Sequence, residues 1–422
     1  MRKTADEIAK LVEGHRDSTY PFRDRMQSDY DLYIMRPYDA GDGYESYTSN
    51  EPRTYADKII SWMSSAELII RIPNIEEPRE MREVNDAKEK FLVGILRAAD
   101  ERLRRRLQPS LREQLAWFVA LRGWYAGRAL LHIDSKERTQ VDITPWDPLH
   151  TYWGEGEEGL AWACYRIHKT KDEILQQYSI KLDEQDDETP IEVYDYYDEE
   201  HNIVCTGDTI LKQATPHGAD RVPVFIGMVG PQPLVQNIDN TSVTDTIVEY
   251  GESVFAPNRE IYDKHNFTMS VMMEMVARSR KQGITITSRD GQKTLDEDPY
   301  KAGAEVALAQ GEDIKPLGLM EVAKETGAYM GMVSGELQRG AIPHTVYGDL
   351  QFQLSGFAIN TLRQGIDSVL QPRIVAMEDA YIQISHLICD QYSTGIYDPV
   401  SVSGRDRNRV YFSEAVAPDS IG

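Results

Sequence analysis

Cysteine, histidine and clustered carboxylates are the groups in this 422-residue chain best suited to metal or nucleophilic chemistry, and they are sparse: three Cys and nine His. Two Cys/His pairs are spaced four apart, Cys164 with His168 and His201 with Cys205. On strands rising about 3.3 Å per residue, the members of each pair would stand roughly 13 Å apart. Neither pair could hold a zinc ion by itself, so the choice lies between one site assembled from both pairs and ordinary strand positions. The acidic stretch LDEQDDETPIEVYDYYDEE interleaves Asp186, Asp187, Glu188 and Asp195 with Tyr194, Tyr196 and Tyr197. Carboxylates at that density suit a divalent cation or acid-base work, which makes a metal-dependent enzyme centred near Asp195 one alternative. Asp186, Asp187 and Glu188 adjoin Pro190 in turn-like sequence, however, without the alternating ligands and glycine of a calcium loop, and a solvated hairpin is the competing reading. The chain has no Walker A loop, HExxH, CxxC or G-x-S-x-G elbow. The expectation is a protein that is not an enzyme and needs no cofactor or metal.

Charge narrows the partners. With 69 acidic against 46 basic residues the net charge is −23, which excludes a protein that grips phosphates over its whole surface, since that needs Lys and Arg to neutralise the backbone. Plain solubility is a sufficient alternative cause of the acidity. The run Arg104, Arg105, Arg106 is open to two readings, a phosphate contact or a solvated or intersubunit helix face. The amino-terminal MRKTADEIAKLVEGHRDS alternates charge with single apolar residues; it lacks the apolar centre of a secretory signal and reads as a surface helix. The apolar run AELIIRI is far short of the roughly 20 residues that span a bilayer, so no membrane partner is expected. Three widely spaced cysteines point to a reducing compartment without disulfides.

The elements that must position any site divide the chain into four textures, enough for two to four lobes. Residues 1–127 are mainly helical. Phe91, Ile95, Leu96, Ala99 and Leu103 recur at helical spacing, with a break at Pro109, and upstream a helix starts near Pro52 and a strand ends at Pro73. From 128 to 239, short β-branched and aromatic runs (RALLHID, TQVDI, LAWACYRIH, IEVYDYYD, VPVFIGMV) alternate with turns. A helix over 258–281, about 36 Å long at about 1.5 Å per residue, is followed by strand, Asp-Gly turn, polar excursion and strand. Helix then returns, is interrupted by a Gly- and Pro-rich stretch near 340–348, and resumes over some nine turns in which Leu370, Ile374, Met377, Tyr381, Ile384 and Ile388 keep the period and Pro372 introduces a bend. The fold class expected is α+β.

The order helix, small β element, helix, glycine-containing loop, long kinked helix resembles the portal proteins of tailed bacteriophages, the head-tail connector ring through which DNA passes. Short matches in the same order carry the likeness: Tyr30-Asp31-Leu32-Tyr33 and Asn50, Gln282-Gly283-Ile284, Gly311-Glu312, Ile314-Lys315-Pro316, Ile342-Pro343, Gly348-Asp349, Ser355-Gly356 and Ala358-Ile359. They span roughly residues 30–390.

The resemblance implies a wing over 1–240, a first stem helix over 241–281, a clip over 282–318, a second stem helix over 319–339, a tunnel loop over 340–348, a long wing helix over 349–392 and a short segment over 393–422. That last segment reads as a polar turn, a strand and a ragged tail, so the helical crown of many portals would be reduced or absent. In such a ring Gly340, Ile342, Pro343, His344, Thr345, Val346, Tyr347 and Gly348 would face DNA, unless this stretch is only a helix corner packed in the core. Arg278, Arg280, Lys281, Arg289 and Lys293 would supply local basic contacts at the clip and stem end, although the cations closing the first stem helix equally suit its dipole. The resemblance further implies a homo-oligomer of twelve subunits in the virion. Its partners would be double-stranded DNA, the large terminase that supplies the ATPase, a head-tail adaptor, and the major capsid and scaffolding proteins. Twelve acidic copies would give a bore that repels phosphates. A monomeric interaction scaffold is the remaining alternative.

Overall fold

The computed structural model describes residues 3–41, 45–73, 79–134, 136–182, 189–207, 209–231, 251–280, 284–288, 291, 295, 307–316, 324–341, 356–406 and 408–421, with 79–80, 278–280, 316, 324–326 and 356–365 by backbone alone. Helix and strand are mixed, in an α+β arrangement. In chain order the helices are α1 (Ala5–Ser18), α2 (Tyr20–Tyr33), α3 (Glu51–Ser65), α4 (Arg79–Arg105), α5 (Leu111–Leu121), α6 (Lys171–Tyr178), α7 (Arg259–Arg280), α8 (Lys324–Gly340) and α9 (Gly356–Ser393). The strands are β1 (Trp124–Ile133), β2 (Thr139–Trp146), β3 (Thr151–Gly156), β4 (Gly159–Lys169), β5 (Ile191–Asp198), β6 (His201–Thr206), β7 (Thr209–Pro216), β8 (Val224–Met228), β9 (Ile284–Thr287), β10 (Asp313–Pro316), β11 (Val400–Arg405) and β12 (Tyr411–Val416).

The chain forms two compact units: residues 1–31, 56–255 and 354–422 make the first, and residues 32–55 and 256–353 make the second. In the first unit, β3 to β7 form an antiparallel sheet in sequential order, and a separate antiparallel sheet has the order β2-β1-β8. Alternation along β5 places Tyr194 and Tyr196 on the face covered by α1, through Ile8 and Val12. Ile191 and Val193 lie on the opposite face, where Ile174 of α6 packs. Thr4 and Ser110 cap α1 and α5, each exchanging hydrogen bonds with the glutamate three residues on, Glu7 and Glu113. Thr170 and Glu173 do the same for α6. These reciprocal bonds satisfy amide donors that a helix start leaves open.

Helix α9 buries Arg373, Met377, Ala380, Tyr381, Ile384, Leu387, Ile388 and Tyr392, a stripe with the period of a helix face. Ile374, three positions before Met377, keeps this spacing but is exposed at the edge of the stripe. Gly123 and Gly251 adopt positive φ where their backbones cross. A Cβ on Gly123 would meet the Gly251 carbonyl oxygen at 1.7 Å, so only glycine fits.

Two expectations are corrected. Residues 67–73 are not a strand. The Ile72 amide donates instead to the Glu89 carboxylate at 2.7 Å, and Leu68 and Ile69 are exposed, so neither ladder bonding nor burial holds a strand there. The tail beyond 393 is an ordered hairpin, with β11 and β12 paired from Val400↔Val416 to Arg405↔Tyr411. It packs on α4, burying Val402 and Val416. The buried Tyr392 hydroxyl fastens it, donating to the Val416 carbonyl at 2.8 Å and accepting from the Val400 amide at 3.0 Å. Among the described residues no helix is long and apolar enough to cross a membrane.

Candidate functional site

The second unit contains the helix–ribbon–helix that the sequence singles out. Pro257 lies in a short 3-10 turn, Ala256–Asn258, that leads into α7, so the helix expected from 258 starts at 259. One line of residues, four apart and running from the 3-10 turn along α7, faces inward: Asn258, Tyr262, Asn266 and Ser270 are all buried. Three of the four are polar, and two of them hold the segment 45–49. The Tyr47 amide donates to Ser270 Oγ at 2.8 Å and the Ser49 amide to Asn266 Oδ1 at 3.0 Å. Residues 32–55 therefore belong with this unit, whereas the sequence placed them with the wing. A tie between residues more than 200 apart leaves no local trace in the sequence.

Helix α8 packs on α7 and buries Val333 and Leu337, one turn apart. Asn258, 1% exposed, donates through Nδ2 to the Leu337 carbonyl at 2.8 Å. Gly340 is the last residue of α8, and a Cβ there would lie 2.0 Å from Asn258 Oδ1. Gly340 is thus the close-approach point of α8 on the start of α7. Tyr329, one turn before Val333, is 46% exposed, Met332 on the flank of α8 is 70% exposed, and Met273 of α7 is 37% exposed.

Between the helices, β9 and β10 pair antiparallel with Ile286 opposite Ile314 and Thr285 opposite Lys315. Ile284, Ile286 and Ile314 are half-buried, while Thr285, Thr287, Asp313 and Lys315 are exposed. Period-two alternation gives this ribbon one apolar and one polar face. Exposed Lys315 and Asp313 pair at 2.8 Å; the shared hydrogen bond raises the lysine and lowers the aspartate from their ordinary values.

Of the other expected site residues, Arg278 and Arg280 lie in the last turn of α7 and are described by backbone alone. Lys281, Arg289, Lys293 and Ile342, Pro343, His344, Thr345, Val346, Tyr347 and Gly348 lie outside the described residues, as do Asp186, Asp187 and Glu188.

The Cys/His pairs do not converge. Cys164 and Cys205 lie on β4 and β6, opposite Tyr196 and Tyr194 of the intervening β5, and both are fully buried. Burial pushes both thiols up, Cys205 to about 12, which makes them core groups rather than thiolate ligands. His168 is directed instead to Glu192, at 3.7 Å, and His201 to Asp198 and Glu200. Among the described residues no three His, Cys, Asp or Glu are grouped as metal ligands.

Asp195 is engaged by an arginine. Arg128 of β1 donates to it at 3.0 Å, to Tyr197 Oη at 2.6 Å and to Asp142 of β2 at 2.7 Å, linking the two sheets of the first unit. Asn202 donates to the other Asp195 oxygen at 2.7 Å. Burial would raise the Asp142 carboxyl, but Arg128 and Arg102 outweigh it and hold it below its ordinary value. This network escaped the sequence reading, although one signal was present: Arg128 stands inside the otherwise apolar run of β1, where a cation needs a buried partner.

No protein-family model matches the chain, and no curated protein matches it in sequence.

Proposed function

We propose that this chain is the repeating subunit of a closed ring that conducts double-stranded DNA, the portal at a bacteriophage capsid vertex. The observation that carries this reading is the second unit, in which α7, the β9–β10 ribbon and α8 form a helix–ribbon–helix inserted between the segments of the first. A two-stranded ribbon is marginal by itself in water, and this one has a one-sided, half-buried isoleucine face. Repetition about an axis would cover that face and the exposed Met273, Tyr329 and Met332 with the next copy. A head-to-tail contact that closes needs no symmetry within the chain, only complementary sides.

The net charge of −23 fits a conduit. A bore lined by acidic copies repels a polyanion and keeps it from adhering, so the duplex slides rather than binds. Residues 342–348 would form the loop at the bore, and Arg278, Arg280, Lys281, Arg289 and Lys293 the few local cations at the clip. The ring would work without catalysis or cofactor. DNA, a terminase motor, a head-tail adaptor and the capsid and scaffolding proteins would be its partners in the virion. Deleting 342–348 tests the loop: ring assembly should persist while DNA packaging or retention falls, and unchanged packaging would remove the loop from the channel.

A further inference from the structure

A cleft of about 830 Å³ lies in the first unit between the β2-β1-β8 sheet and the five-stranded sheet, within the size range of small-molecule sites. Its charge runs against that of the chain. Four cations line it, Arg102, Arg106, Arg128 and Lys212, against two carboxylates, Asp142 and Asp195, in a protein of net charge −23.

Both carboxylates are taken up by Arg128. Arg102 shares Asp142 at 3.3 Å and donates to the Val141 carbonyl at 2.7 Å. Two cations are left over. Lys212 donates to a neutral partner, Asn202 Oδ1, at 2.7 Å, which uses one of its three protons. Exposed Arg106 makes no ion pair among the described residues, its influence reaching Asp142 through space only. Arg128 Nε, in the same wall, is buried without a hydrogen-bond partner, a state uncommon for a polar atom inside a fold. The surrounding wall is aromatic. Half-buried Tyr165 stacks on buried Trp146 with centroids 5.1 Å apart and planes 3° apart, and half-buried Tyr178 lines the same space.

Unspent cations beside an aromatic wall match a ligand with a phosphate at one end and a flat ring at the other. We infer that this cleft binds a small organic phosphate bearing an aromatic ring, of the nucleoside monophosphate class, with Arg106 and Lys212 on the phosphate and Tyr165 and Tyr178 against the ring. The site needs one copy of the chain and is independent of ring formation.

Calorimetric titration of the full chain tests it, using AMP as the probe and inorganic pyrophosphate as a ringless comparison. AMP should bind saturably with Kd below about 1 mM, more weakly as salt is raised and more tightly than pyrophosphate. The double variant Arg106→Gln/Lys212→Gln alters exposed side chains and should keep the wild-type melting temperature while weakening AMP at least about tenfold, or about 1.4 kcal/mol. Absence of saturable AMP binding, or binding that the double variant leaves unchanged, overturns the site. Pyrophosphate binding as tight as AMP overturns the ring contact and with it the ligand class.

Discussion

Arg128 and Asp195, 67 residues apart in sequence, meet at 3.0 Å between two sheets, with each side chain 17% exposed. The carboxylate that sequence offered as the centre of a metal site is therefore the half-buried counter-ion of an arginine. Removing one member of such a pair strands the other charge. Arg128→Met should cost about 3–5 kcal/mol of stability, measured as a shift in the urea midpoint, because it leaves Asp195 without its cation and Asp142 with Arg102 alone. A shift below about 1 kcal/mol would mean that the network does not hold the sheets together.

Gly340 gives a second, sharper test. Gly340→Ala places a methyl 2.0 Å from buried Asn258 Oδ1, and overpacking of this kind costs about 1–3 kcal/mol. The loss should appear as faster amide exchange in α7 and α8, with the exchange of α1 unchanged. Uniform exchange identical to wild type would remove the close approach from the forces holding these helices.

Acid should weaken the first unit through its histidines. Burial, and then the nearby Arg23, hold His15 at about 4 against an ordinary 6.5. Burial also holds His150 at about 4, with Asp147 opposing and Arg166 reinforcing the shift. The unfolded chain takes up these protons near 6.5 and the folded one refuses them until about 4. The stabilisation is thus whole above 6.5 and is lost as pH falls through that window, at up to about 1.4 kcal/mol per pH unit for each histidine. His15→Gln should flatten the decline of the urea midpoint across this range. A midpoint that does not change between these pH values would contradict the burial of both rings.

Legibility in the sequence followed the range of the forces involved. The β9–β10 ribbon and the helices on either side were readable from local pattern, as were α4 and α5 with their break at Pro109. The capping box Thr170-x-x-Glu173 announced α6 equally plainly, but the helix is only eight residues long and was overlooked among strands. The terminal hairpin showed little because few of its side chains are apolar and buried, Val402 and Val416 chief among them; its order comes from α4 and from the Tyr392 hydroxyl. The strand expected to end at Pro73 had the right residue types but pairs with no other strand among the described residues. The candidate site was legible as an order of elements. The contact of Asn258 with Leu337 and the hold of α7 on residues 45–49 were not, since they depend on chain segments that only folding brings together.

Closure around an axis is the central claim, and negative-stain imaging of the purified full-length chain, with mass photometry of the same preparation, addresses it most directly. Annular particles with rotational symmetry, a central opening and a mass near twelve chains are the expected result. A folded chain that stays monomeric at high concentration, or that assembles without a central hole, would contradict it.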